Sequence, residues 1–174
     1  MHLPSPALTT LRRRQLLGWL PLLAWPLAQA QPATSSLPTL EGKTADGQAL
    51  GLGALRGRVV LVLYWSTGCA VCRDKMHEMR ANLAGWQHQP FTLLGVNMDQ
   101  RREDVVGYET LLRQTVPAPQ RLRSVWAADP GFTDSLGPPT HLPSGALIDK
   151  AGRLVERYSG RIPPEAWDRI AELL

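Results

Sequence analysis

The chain holds two cysteines, two residues apart, in Cys69-Ala70-Val71-Cys72. Thiolate, not thiol, is the nucleophile of disulfide exchange, so whatever lowers a thiol pKa makes it reactive. The flanks supply such a setting. Val59 to Trp65 precedes as an apolar run, Ser66-Thr67-Gly68 as a polar turn, and Arg73-Asp74-Lys75-Met76 follows. That order reads as a buried strand, a turn and the first turn of a helix. Free N–H groups and the macrodipole at a helix N-terminus favour negative charge. A second thiol one turn further on can resolve a mixed disulfide. Three other readings of the pair stay open here: half of a zinc site, an inert structural disulfide, or two buried unpaired thiols. Zinc wants four ligands, and His77, His88 and His141 show no ligand-like spacing. So small a loop restricts the unfolded chain little. The strand-turn-helix context favours a redox pair, with no metal and no cofactor beyond the pair itself.

The elements that must position the pair follow from periodicity. Val59 to Tyr64 is continuous and β-branched, which suits a strand covered on both faces. From Cys72 the spacing turns helical: Cys72, Met76, Met79, Leu83 and Trp86 form one stripe, with Arg73, Asp74, Glu78 and Arg80 outward. Phe91 to Val96 is a second buried strand ending at Asn97. Arg102 to Thr115 reads as a helix with Val105, Tyr108, Leu111 and Leu112 on one face. The β-α-β-α order argues for a parallel core. Pro119 to Ser144 is broken by Pro130, Gly131, Gly137, Pro138, Pro139 and Pro143, and is left without regular structure. Ala146 to Asp149 and Leu154 to Tyr158 flank a turn and read as an antiparallel pair. Pro163-Pro164-Glu165 opens a last helix. Ahead of the core, Asp46-Gly47 centres a hairpin.

The first 30 residues read as an export signal. Arg12, Arg13 and Arg14 give a positive start, Leu16 to Ala28 is apolar, and Ala28-Gln29-Ala30 fits a cleavage site. The apolar run, 13 residues with Pro21 and Pro26 inside, is short of the roughly 20 that span a bilayer. Arg13-Arg14 also fits a loose twin-arginine pattern. The alternative is an uncleaved N-terminal anchor. Residues 31–36 form a polar linker and 37–174 one domain. Three of the 19 basic residues and none of the 15 acidic ones fall in the leader. The remainder is close to neutral and carries no basic run of the kind that binds nucleic acid. Export places the dithiol in an oxidising space, where it closes unless something keeps it reduced. The expected location is the periplasm.

Four stretches together resemble the thioredoxin superfamily, and within it the exported TlpA/ResA/CcmG-like branch. They are the Leu-Pro start with Leu52 to Gly57, then Val59 to Cys72, then Gly95 to Asp99, and Leu142 to Arg153. The likeness implies a three-layer α/β fold: a central mixed sheet, helices on both faces and an N-terminal β-hairpin extension. It implies Cys69 as the exposed attacking thiol and Cys72 as the buried resolving thiol. Pro143 would be the cis-proline beside the disulfide, presenting the Leu142 backbone to substrate, and Trp65 would shield the site's floor. The chain also departs from the pattern. Gly68 stands where a Trp usually precedes the first Cys, Ala70-Val71 contains no proline, and His77 replaces a helix-kinking Pro. The two usual buried acids are absent, their positions taken by Leu63 and Lys75. Lys75 is either a charge that favours the thiolate or a solvated lysine. His141 is either a proton-transfer or metal-binding group or a loop residue without a role.

The expected activity is thiol–disulfide exchange. The likeness favours reduction of exported protein disulfides, with a membrane thiol reductant as electron donor and cysteines of apocytochrome or metallochaperone type as substrates. The alternatives are a thiol oxidase or isomerase, or a copper-binding chaperone using Cys69, Cys72 and His141.

Overall fold

In the computed structural model, residues 37–174 are described. The expected signal over 1–30 and the linker over 31–36 lie outside the described residues. The hairpin forms as the sequence predicts: β1 (Leu40–Lys43) and β2 (Ala49–Gly51) pair antiparallel. Its turn needs glycine, because Gly47 sits at φ +84°, a backbone region that side chains disfavour. A single 3₁₀ turn, Leu52–Leu55, leads into the core.

β3 (Val59–Trp65) is buried at every position. Side chains alternate across a strand, so each face of β3 seeds its own core. Val59, Leu61, Leu63 and Trp65 pack with α1 (Ala70–Gly85), through Cys72, Met76 and Met79. Val60, Val62 and Tyr64 pack with Leu40, Leu50, Leu52 and Leu94. β4 (Phe91–Asn97) pairs parallel with β3, from Val59 opposite Phe91 to Trp65 opposite Asn97. α2 (Arg102–Thr115) has the expected bounds. Val105 and Leu112 are buried, and Tyr108 meets Trp65 with ring centroids 5.0 Å apart. Leu111, expected on that face, is 54% exposed. At 100° per residue it has rotated past the stripe that Val105, Tyr108 and Leu112 define.

The segment left without structure supplies β5 (Arg123–Trp126), parallel to β4, and β6 (Thr133–Asp134), antiparallel to β1. Only Ser124 and Val125 of β5 are buried, too short an apolar signal to read between prolines. The open edge of β4 organises it. β7 (Ser144–Ile148) pairs antiparallel with β3, and β8 (Leu154–Ser159) with β7. The main sheet therefore runs β5-β4-β3-β7-β8. α3 (Glu165–Leu173) lays Ala166 and Ile170 into the same core as α1. The mixed sheet and the helical layer are those expected. The alternate face of β3 carries the second core, to which β1, β2 and the 3₁₀ turn contribute Leu40, Leu50 and Leu52. The lead-in Gly51-Leu52-Gly53-Ala54-Leu55-Arg56-Gly57 is short and glycine-rich, and forms that single 3₁₀ turn. No helix among the described residues is long and apolar enough to cross a membrane.

Candidate active site

β3 ends at Trp65, the chain turns through Ser66-Thr67-Gly68, and α1 begins at Ala70. Cys69 is therefore the residue that caps α1. Its backbone is extended, and its Sγ accepts the Cys72 N–H at 3.1 Å. Its carbonyl accepts the Arg73 N–H, also at 3.1 Å. The two sulfurs are bonded at 2.10 Å, with Cα atoms 5.2 Å apart. Cys69 is half-buried, whereas Cys72 is 2% exposed. No acidic residue lies in the first turn of α1, so nothing there offsets the favourable potential for a thiolate. Chemically this is an approachable sulfur at a helix start with a second sulfur sealed behind it.

β7 brings the other wall. Ser144 pairs with Tyr64 near the end of β3, so Leu142 and Pro143 arrive at the same end of the sheet as the cysteines. The Leu142–Pro143 peptide is cis. Pro143 is buried, and half-buried Leu142 packs against both cores. Trp65 is 2% exposed in the core cluster that holds Cys72, and its indole N–H donates to Ser124 Oγ at 3.2 Å. That bond passes over Gly95, where a Cβ would stand 2.1 Å from the same oxygen. Glycine is required there by close approach.

The charged candidates fall differently. Lys75 donates to Glu78 at 2.6 Å and is mostly buried, so it is a paired lysine and not a solvated one. Glu78 also accepts the Trp167 indole N–H at 2.8 Å, which ties α1 to α3. The Lys75 ammonium first, and then the indole, hold the Glu78 carboxyl below the usual carboxylate range. Glu78 and Arg80, expected outward, are both half-buried. His141 is exposed, its ring Nδ1 turned to the neighbouring Thr140 carbonyl. Among the described residues no three His, Cys, Asp or Glu side chains gather as a metal site. Leu63 is buried in the core, as an apolar replacement for an acid must be.

Residues 33–163 match the AhpC/TSA family. The chain belongs to that family. A curated relative, the thiol-disulfide oxidoreductase ResA of Bacillus cereus, is 27% identical over 119 residues. The match takes in 66% of this chain and 62% of ResA, so the chain spans under two thirds of that relative's length. Among solved structures, a thiol:disulfide interchange protein of the thioredoxin family from Chlorobium tepidum TLS superposes with a TM-score of 0.61 at 23% identity, covering 78% of this chain and 92% of that one. A thiol-disulfide oxidoreductase from Bacteroides fragilis gives 0.61 at 22%, covering 80% and 99%. These likenesses establish the thioredoxin-like α/β fold.

Sequence reasoning missed one polar pair. Asn97 and Asp99 are 0% and 8% exposed at the end of β4. Asn97 Nδ2 donates to Asp99 Oδ2 at 2.8 Å, and Asn97 Oδ1 accepts the Asp99 N–H at 2.9 Å. Residue types alone did not mark them, because the need of buried polar groups for partners shows only once their burial is known.

Proposed function

We propose that this protein is an exported thiol–disulfide oxidoreductase that acts as a disulfide reductase. The observation that carries the reading is the asymmetry of the pair: Cys69 is reachable at the start of α1, and Cys72 is sealed beneath it. In the dithiol form the Cys69 thiolate attacks one sulfur of a substrate disulfide. A mixed disulfide forms, and the other substrate sulfur leaves as thiolate. Cys72, as thiolate, then attacks Cys69 Sγ, closes the intramolecular disulfide and releases the second substrate thiol. The substrate gains two electrons and two protons, and the enzyme loses them. A thiol reductant, membrane-borne in this reading, restores the dithiol. The half-exposed Leu142 beside the buried Pro143 offers an apolar rim for an extended polypeptide. The likeness to ResA supports exported protein cysteines as substrates, of the apocytochrome or metallochaperone kind.

Direction is tested by the reduction potential of the Cys69–Cys72 couple in a dithiothreitol or glutathione titration. A value near about −270 mV supports the reductase, and one near about −120 mV overturns it in favour of an oxidase. Secretion of an enzyme fusion carrying residues 1–36 tests export. A fusion retained in the cytoplasm refutes that part.

A further inference from the structure

The turn that presents Cys69 is closed by one backbone bond, from the Cys69 N–H to the Ser66 carbonyl at 3.2 Å. At Gly68 there is no side chain, and a Cβ built there would meet nothing within 4 Å. Its hold on the sheet comes from the preceding peptide. The Thr67 N–H points between the two carboxylate oxygens of Asp99, at 3.1 Å from each. Arg73, from the first turn of α1, donates to the Thr67 carbonyl on the other side of that residue. Asp99 is itself clamped. Asn97 fixes its carboxylate and its N–H, and its carbonyl accepts the Trp126 indole N–H from β5 at 2.7 Å. The chain from β5 through Asp99 to Thr67 is continuous, and the carboxylate end of it is buried.

We propose that Asp99 is a positioning residue for the exchange reaction. It holds the Thr67 peptide so that Cys69 stays at the mouth of α1 when the pair is reduced. In the disulfide form the sulfur–sulfur bond itself ties residue 69 to residue 72. In the dithiol form that tie is gone, and the Asp99 carboxylate remains as a buried link from the turn to the end of β4. A reacting group displaced by about 1 Å loses on the order of a hundredfold in rate, and Gly68, with no side chain to pack, leaves the turn reliant on such a link. The inference rests on exchange chemistry at Cys69 as proposed above, and not on its direction.

The test uses the whole domain and a model protein disulfide. Asp99→Ala should lower the second-order rate constant of the dithiol form by about tenfold, measured where circular dichroism shows the variant folded. Asp99→Asn keeps an oxygen that can accept the Thr67 N–H and should stay within about threefold of wild type. A merely structural role would lower the melting temperature of both variants and leave the rate per folded molecule unchanged. Asp99→Ala reacting within twofold of wild type, or Asn as slow as Ala, overturns the proposal. Should Asp99→Ala fail to fold, hydrogen exchange on reduced wild type decides. The Thr67 amide is expected to be protected at least about a hundredfold more than the Gly68 amide, and equal exchange overturns the proposal. An inactive wild type would instead refute the exchange reading, while the amide measurement would still report on the tie.

Discussion

The two walls of the cysteine pair are built from opposite materials. On the β4–β5 side the turn rests on polar groups, Asn97, Asp99 and Trp126, each with named hydrogen-bond partners. On the β7 side Leu142 and Pro143 are held by apolar packing, Leu142 against both cores. Hydrogen bonds are directional and fix the orientation of a peptide. Apolar packing is non-directional and excludes water. In the proposed reaction the polar wall would set where the sulfur points, and the apolar wall what can lie beside it. Lys75 and Glu78 belong to neither wall, since their partners tie α1 to α3.

The contrast can be broken in order of expected effect. Cys69→Ser, which spares both walls, should cut disulfide reduction by at least about a thousandfold, read in an insulin turbidity assay. Undiminished turnover would remove the pair from the chemistry altogether. Cys72→Ser should instead accumulate a mixed disulfide with substrate on a non-reducing gel. Leu142→Ala attacks the apolar wall. It should cost about 2 kcal/mol in chemical denaturation, less than a fully buried leucine because the side chain is half-exposed. Lys75→Met probes the charge that stands near the pair and belongs to neither wall. The exchange rate should stay within about threefold, because the ammonium is already engaged by Glu78. A tenfold loss would mean that it acts on the thiolate.

Glu78→Gln is the smallest change. The folded carboxyl titrates below its ordinary 4.5, so its contribution is fully present above that value. It is lost as pH falls through the depressed folded pKa. Wild type should exceed the variant by less than about 1 kcal/mol at pH 7, since the side chain is a third exposed. The gap should vanish on acidification in a urea series. A gap independent of pH would assign the effect to packing.

Where the sequence was legible, one physical signal repeated over many residues. Continuous burial marked β3 and β4, a 3.6-residue stripe marked α1 and α2, and Asp46-Gly47 marked the hairpin. Cys69 and Cys72 stood out because their types and spacing suggest a chemistry directly, and the structure brings them together as a bonded pair. β5 was not legible, because its four residues become a strand only when β4 offers a free edge. The Asn97–Asp99 pair was hidden for a related reason. Its donor is a backbone N–H at Thr67, and no residue type announces a backbone partner 32 positions away. Leu111 shows the limit from the other side: an apolar residue one position off the stripe looks like core and lies in solvent.

The sulfur of Cys69 is the acceptor that closes the end of α1, besides being the proposed reagent. Serine keeps an acceptor at a helix cap, whereas alanine does not. The two usual ways of silencing this cysteine are therefore different experiments. The serine variant removes the nucleophile and leaves the helix end furnished. The alanine variant also strips the end of its partner, so any disorder it shows in the turn belongs to the missing cap and not to the missing chemistry.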